Sequence, residues 1–163
     1  ISNDMDASLG MGMAVVFVMV MASSASWAVY HGLLVPFHIE YLRTAAFILT
    51  IAALVQFEEM FIRRYSPALY RALGIYLPLI TTNCAVLAAA FLGIDYKLSF
   101  FQNLVYTLGI SLGYCLAILL FAGVRRKIAD APVPKAFQGV PIAFITASLM
   151  SLAFLGFKGL FKL

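Results

Sequence analysis

Charged residues are scarce in this chain. Of its 163 residues, 11% are Asp, Glu, Lys or Arg, whereas 64% are hydrophobic, and the mean hydropathy is +1.00. Soluble domains carry about 25% charged residues, so the composition excludes an ordinary soluble domain and predicts an integral membrane protein. The formal net charge of +4 does not indicate nucleic-acid binding, because the basic residues form short clusters between apolar runs, where they set membrane topology.

Cysteine is also scarce, and familiar catalytic motifs are missing. Two cysteines in a membrane-embedded chain do not make a disulfide framework. The sequence contains no Gly-rich dinucleotide-binding fingerprint, which argues against hydride chemistry in this chain. Residues Ile1 to Gly10 contain no signal-peptide hydrophobic region, and the chain does not begin with methionine. We therefore expect an N-terminal segment upstream of Ile1.

The chain is rich in long apolar runs. Five stretches reach the roughly 20 residues that cross a bilayer as a helix. Most lack a polar stripe, which is typical of helices surrounded by lipid, and small residues such as those at 22–26 indicate close helix packing. The predicted fold is an all-α, multi-pass bundle forming a single membrane domain over residues 1–163. The predicted spans are residues 10–30, 42–62, 72–92, 98–124 and 141–160.

The basic residues between these spans alternate between two sides. The positive-inside rule places the more basic side in the cytoplasm. The C-terminus would then lie outside and residue 1 inside, an arrangement that fits one further upstream helix and six spans in all. The cytoplasmic set is Arg63, Arg64, Arg71, Arg125, Arg126, Lys127 and Lys135, and the outer set is Arg43, Lys97, Lys158 and Lys162.

The third predicted span is interrupted between residues 74 and 84. We expect Gly74–Leu77 to end a first half-helix, because Pro78 lacks a backbone donor and disfavours helical angles at Leu77. Thr81, Thr82 and Asn83 are good capping residues, so a second half-helix should start near Cys84. Non-helical backbone at membrane depth survives only inside protein or around a site. The break therefore marks a candidate site.

Cys84 is the chemically most interesting residue of this break. In the first turn of a helix, the positive end of the dipole favours a thiolate, which is the form that binds metal. Buried free cysteine often only fills space, however, and one cysteine alone does not bind a metal tightly, so both interpretations stay open on the pattern alone. Cys115 lies mid-span without a break or a cap, and we interpret it as a packing residue.

Two glutamates lie inside the second span. Charge at such a position is costly and is a functional hypothesis by default. Glu58 and Glu59 also have a structural interpretation, because they are close to the cytoplasmic end of the span. Glu59 precedes Arg63 by four residues, which is the favourable order for a helical ion pair.

Polar residues in the outer connections have local explanations. His31 and His38 flank Pro36, where anchoring at the membrane interface is favoured over metal binding. Asp95 lies in a short connection and is predicted to serve the turn. Trp27 suits an interfacial aromatic belt.

Several runs of the sequence together match one known family. These runs are Tyr41–Ile48, Ile51–Phe57, Tyr65–Gly74, Leu77–Cys84 and Ile145–Phe154. They resemble the RnfA/NqrE family, whose members are membrane subunits of the bacterial Rnf electron-transport complex and of the sodium-translocating NADH:quinone oxidoreductase. The run Thr82–Leu87 is closer to the Rnf branch.

The resemblance implies a fold and a cofactor. It implies six helices in two inverted three-helix repeats, each with one broken helix and one cysteine. Cys84 matches the cysteine of the second repeat. The cysteine of the first repeat would lie in a Leu-Gly-x-Cys-Pro-like motif upstream of Ile1. Cys115 matches neither of these two cysteines. The implied cofactor is a 2Fe–2S cluster held by two cysteines of this chain and two of an RnfE-like homologous subunit in inverted orientation. Thr82 and Asn83 would lie beside the cluster, and Glu59 matches a glutamate usual in the family and becomes a possible ion-path residue.

The implied function is electron relay within a ferredoxin:NAD oxidoreductase coupled to Na⁺ or H⁺ translocation. The chain would lie in the bacterial inner membrane beside RnfB, RnfC, RnfD and RnfG, with lipid but no nucleic acid as a further partner, and alone it would not be catalytic. Two alternatives stay open: an NqrE-like subunit, and a small ion transporter whose broken helix binds an ion through Thr81, Thr82 and Asn83.

Overall fold

The structure, a computed structural model, describes residues 5–65, 67, 70–71 and 77–159. Within these residues the chain is helical and contains no β-strand. Four helical segments are long and apolar enough to cross a membrane: Ser8–Leu34, Glu40–Tyr65, Phe100–Ala129 and Val140–Lys158. They correspond to four of the five predicted spans and confirm the all-α, multi-pass class. That the chain forms a single domain stays a prediction.

The described helices follow one another along the chain in this order. Helix α1 (Met5–Val29) continues into a π-helical turn (Tyr30–Leu34), and a 3₁₀ turn (Glu40–Leu42) leads into α2 (Arg43–Tyr65). The remaining elements are α3 (Leu77–Thr81), α4 (Cys84–Asp95), α5 (Phe100–Ala129), a 3₁₀ turn (Lys135–Phe137) and α6 (Val140–Lys158).

The third predicted span is interrupted within the described residues at Thr82 and Asn83. Leu77 is helical, so the expectation that Pro78 moves it away from helical angles is wrong. Pro78 is the second residue of the described helix α3, and proline is tolerated in the first turn of a helix, where its missing N–H is not needed. Helix α4 begins at Cys84 as predicted. The predicted end of a first half-helix over residues 74–77 stays a prediction. Gly74 and its neighbours at 72–76 lie outside the described residues.

Contacts divide the chain into two compact units, of which the larger is Leu9–Leu116. Its core forms where α1, α2, α3 and α4 meet, and every core side chain is at most 7% exposed. Burying these side chains against one another leaves many large apolar side chains on the outside of the unit, as a lipid-facing surface requires. The core residues are Met11, Val15, Val18, Met19, Ala22, Ile51, Val55, Ile80, Val86 and Ala89.

The smaller unit comprises Ala117–Leu163 together with Ile1–Ser8. Its helix α6 follows Gly139, whose φ of 85° is a left-handed conformation that favours glycine. Pro141 occupies the first turn of α6, where its missing N–H costs nothing. Thr146 is buried and donates to the Ile142 carbonyl at 2.7 Å, so its hydroxyl is satisfied within the helix.

Candidate functional site

Cys84 stands at the head of α4, directly after the break. The preceding residue, Asn83, has an extended backbone (φ −74°, ψ 112°), and its side-chain Oδ1 accepts a hydrogen bond from the Ala85 N–H at 3.0 Å. This side chain satisfies one of the unpaired donors of the first helical turn. The Cys84 thiol is free and its residue is exposed. The sequence-predicted cap and restart of the helix are thus both present.

The amide of Asn83 also makes a second contact. Its Nδ2 donates to the hydroxyl oxygen of Tyr114 on α5 at 2.9 Å. One side chain therefore caps α4 and joins the start of that helix to α5, which fixes the backbone that carries Cys84. Sequence reasoning missed Tyr114. The available signal was its hydroxyl within an apolar span, because a partly buried tyrosine usually finds a partner for its polar tip.

The other polar side chains of the break serve the chain itself. Thr82 donates from Oγ1 to the Leu79 carbonyl at 3.3 Å, and the Asn83 N–H donates to the Ile80 carbonyl at 3.1 Å. These bonds satisfy carbonyls at the end of α3 that no further helical turn would reach. Thr81 is half-buried. The structure thus brings Thr82, Asn83 and Cys84 together, with the thiol as the exposed chemical group.

Cys115 lies elsewhere in the larger unit, against α1. A Cβ built on Gly12 would lie 2.6 Å from the Cys115 Sγ, so the sulfur fills the space that glycine leaves between α1 and α5. This contact supports the packing interpretation. Among the residues that the structure describes, no group of three or more His, Cys, Asp or Glu side chains is placed to hold a metal ion. Within the described residues, Cys84 is thus not part of a ready-made group of metal ligands.

A buried group of polar side chains, which we call the α1–α5 polar cluster, consists of Ser23, Asn103 and Thr107. All three are at most 2% exposed. Asn103 Nδ2 donates to Ser23 Oγ at 3.0 Å, and Thr107 Oγ1 donates to the same oxygen at 2.9 Å. A Cβ on Gly93 of α4 would collide with the Asn103 Oδ1. The sequence predicts only close helix packing at residues 22–26 and gives no indication of this cluster.

The two glutamates of α2 have different surroundings. Glu59 is half-buried and accepts a hydrogen bond from the Tyr70 hydroxyl at 3.3 Å. The Arg63 guanidinium lies over the Tyr70 ring, 5.8 Å from its centroid. The one ion pair that joins two described residues lies elsewhere, so the predicted Glu59–Arg63 pair is not formed. Glu58 is buried, and both its carboxylate oxygens lack a hydrogen-bond partner in the described part of the chain.

Three helices of the larger unit are joined at one end. Arg43 at the start of α2 pairs with Asp95 at the end of α4 at 2.7 Å, which gives Asp95 a role beyond the predicted turn. Trp27 donates from Nε1 to the Leu98 carbonyl at 3.1 Å and stacks on His31, with ring centroids 4.1 Å apart. These contacts place the start of α2 beside the end of α4.

Comparison with known proteins gives consistent results. The family model of the Rnf-Nqr subunit, described as a membrane protein, matches residues 1–161. The chain is similar to two proteins that are named as subunits of the ion-translocating oxidoreductase complex. With that of Aromatoleum aromaticum it is 56% identical over 160 residues, 98% of this chain and 83% of the relative. With that of Aeromonas hydrophila it is 53% identical over 163 residues, 100% of this chain and 84% of the relative.

The helices of spanning length agree with a family of membrane proteins. Both the family match and the identity extend over nearly the whole chain. The chain therefore belongs to the Rnf-Nqr family of membrane protein subunits.

Proposed function

We propose that this chain is the electron-relaying membrane subunit of an Rnf-type ferredoxin:NAD oxidoreductase, and that Cys84 is one ligand of a 2Fe–2S cluster shared with a homologous subunit. The observation that carries the proposal is an exposed, free thiol at the first residue of a capped helix that follows a break in a membrane segment. An exposed thiol at this place can meet ligands from another chain.

The cluster would supply one-electron transfer within the membrane. The residues of this chain hold the ligand in place. Asn83 fixes the first turn of α4 through its cap, and Tyr114 fixes Asn83. Thr82 closes the end of α3. Iron–sulfur clusters are held by cysteine thiolates and tuned by their surroundings, so we propose that these two neighbours, Thr82 and Asn83, shape the environment of the ligand.

The ion-transporter alternative is disfavoured by how the polar groups of the break are used. Both ends of the Asn83 amide are occupied, and the Thr82 hydroxyl is bonded to a carbonyl. An ion bound through the Asn83 Oδ1 would share that oxygen with the Ala85 N–H, which weakens it as a ligand. The NqrE-like alternative is disfavoured because the relatives compared above take their names from an ion-translocating oxidoreductase complex.

Ion coupling is a separate part of the proposal. We propose that Glu59 lies on the path of Na⁺ or H⁺. It shares a cavity of about 290 Å³ with Gln56, Met60 and Arg63 near the end of α2. The Tyr70 hydroxyl holds its carboxylate there. Replacing Glu59 by Gln is expected to lower ion transport by the reconstituted complex while electron transfer is less affected.

The surroundings of the protein follow from the same proposal. We place the chain in the bacterial inner membrane with the C-terminus outside and residue 1 in the cytoplasm, next to an RnfE-like subunit, with RnfB, RnfC, RnfD and RnfG as the other members of the complex. Reporter fusions to the C-terminus test this orientation, since a reporter active only in the cytoplasm should be silent there.

The cluster ligand is tested in the purified complex. Cys84→Ser should lower the iron content and remove or alter the 2Fe–2S absorption and electron paramagnetic resonance signals, while subunit composition stays intact. Cys115→Ser is the matched control, because Cys115 packs against Gly12 and should leave the iron unchanged. An unaltered spectrum in Cys84→Ser contradicts the ligand assignment. If that variant does not assemble, an altered signal from an assembling Cys84→Asp variant would still support the assignment, and an unaltered one would contradict it.

A further inference from the structure

Glu58 is a buried acid that the proposed function does not use. Its residue is 6% exposed, and neither carboxylate oxygen has a hydrogen-bond partner among the described residues. The side chain borders a cavity of about 200 Å³ between α1 and α2. The other lining residues are all apolar: Phe17, Met21, Leu54, Phe57 and Phe61.

The next residue in the chain provides an internal comparison. Successive helical residues are rotated by about 100°, so Glu58 and Glu59 face different surroundings. Glu59 accepts a hydrogen bond from Tyr70 and borders a cavity that also contains Gln56 and Arg63. Glu58 has neither a donor nor a cation beside it in the described part of the chain. The same chemical group is thus satisfied at one position and unsatisfied at the other.

No nearby described element supplies a charge that would balance an ionised Glu58. Residues 14–21 of α1 are all apolar, and α3 (Leu77–Thr81) carries no titratable side chain. On α2 the charged residues after Glu58 are Glu59, Arg63 and Arg64. The last two are exposed, and Arg63 lies over Tyr70. An ionised carboxylate enclosed by apolar groups is strongly unfavourable unless it is paired.

We propose that Glu58 is a proton-binding group within the membrane, a carboxyl that stays neutral because it carries a proton. The ligand of this site is the proton itself. Release of that proton requires the side chain to move toward the end of α2 where Arg63 and Arg64 are exposed. The inference rests on the burial of Glu58 and does not depend on Cys84 or on a cluster.

A lipid-soluble carbodiimide tests this site. The acid form of a carboxyl adds its O–H across one C=N bond of dicyclohexylcarbodiimide, giving an O-acylisourea that rearranges to a stable N-acylurea. No atom is lost, so the peptide gains the mass of one carbodiimide. Phe17, Phe57 and Phe61 are each more than half exposed, so the cavity wall can be reached from the lipid side.

The purified complex is treated with dicyclohexylcarbodiimide over a range of pH and digested with trypsin. Cleavage after Arg43 and Arg63 places both glutamates on the peptide Thr44–Arg63, and fragment ions then assign the adduct. We expect the adduct on Glu58, with a yield that falls as the pH rises, and slower modification by a water-soluble carbodiimide. Glu59→Gln should keep the adduct and Glu58→Gln should lose it.

Three outcomes of the labelling overturn the proposal: no adduct on Glu58 at acidic pH, an adduct on Glu59 in its place, or a yield that does not change with pH. These outcomes are read from the wild-type complex and from Glu59→Gln, so they do not depend on the assembly of Glu58→Gln.

Discussion

Gly93 controls whether the α1–α5 polar cluster can form. The Gly93→Ala substitution places a Cβ where the Asn103 Oδ1 now lies. That atom belongs to the amide that donates to Ser23 at 3.0 Å. The amide is enclosed and cannot simply rotate into solvent. We expect the substitution to displace the whole Asn103 side chain and to leave the Ser23 hydroxyl with Thr107 alone.

The expected size of this effect follows from its parts. Overpacking a well-packed core costs about 1–3 kcal/mol. Each lost hydrogen bond between membrane helices adds roughly 0.6 kcal/mol, with about 1.7 kcal/mol as the upper limit. Alanine favours the helix by about 1 kcal/mol relative to glycine, which offsets part of this loss. Gly93→Ala should therefore destabilise the protein by about 1–3 kcal/mol.

A double-mutant cycle with Asn103→Ala identifies the cause. Asn103→Ala alone loses the hydrogen bonds to Ser23 but removes the atom with which the new Cβ collides. Combined with Gly93→Ala, it should cost little more than it does alone, so that the two effects are less than additive by about 1–2 kcal/mol. Gly113→Ala is the control, because a Cβ there meets nothing within 4 Å.

Unfolding of the purified protein in mixed micelles, followed by circular dichroism against the fraction of denaturing detergent, measures these differences. Strict additivity of Gly93→Ala and Asn103→Ala would refute the argument, since it would show that the two positions do not compete for the same space. A destabilising effect of Gly113→Ala as large as that of Gly93→Ala would refute it as well, because the loss would then come from the helix rather than from the contact.

Other substitutions test the remaining contacts. Asn83→Ala should destabilise the protein by about 1 kcal/mol, because the helix cap is lost. Asn83→Asp should destabilise it less, because the carboxylate still caps the helix and only the hydrogen bond donated to Tyr114 is lost. Thermal unfolding measures both effects. If Cys84 holds the proposed 2Fe–2S cluster, Tyr114→Phe should shift the reduction potential or line shape of its signal without lowering iron content. An unshifted signal would mean that Tyr114 does not position the proposed ligand. Arg43→Gln and Asp95→Asn should each cost no more than about 1 kcal/mol in unfolding measurements, because the pair is 32% and 48% exposed and exposed pairs are weak.

The parts of the fold that depend on local composition were predictable. Length and hydrophobicity alone located four of the spans, because the bilayer imposes a minimum apolar length. The start of helix α4 at Cys84 was predictable, because Asn83 is a strong helix cap and capping depends on a few adjacent residues. The helical backbone at Leu77 was not predictable, since a proline is disruptive in the interior of a helix but tolerated in its first turn, and the pattern does not show which of these applies at Pro78.

The parts that depend on facing helices were not predictable. The apolar spans give little indication of which face packs, so nothing in the sequence pairs Ser23 with Asn103, which lies 80 residues later. The contrast between Glu58 and Glu59 is of the same kind. The sequence shows two adjacent acids, but only the position of α1 decides which of them is enclosed.

The α1–α5 polar cluster has a consequence for biosynthesis. Chains are made at about 5–20 residues per second, so Ser23 waits roughly 4–16 seconds before Asn103 exists. During that interval a carbonyl of its own helix is the nearest acceptor for the Ser23 hydroxyl, as Val20 is for Ser24 at 2.8 Å. We therefore expect α1 to enter the membrane with this bond made internally, and to exchange it for the contact with α5 only after Asn103 has been made.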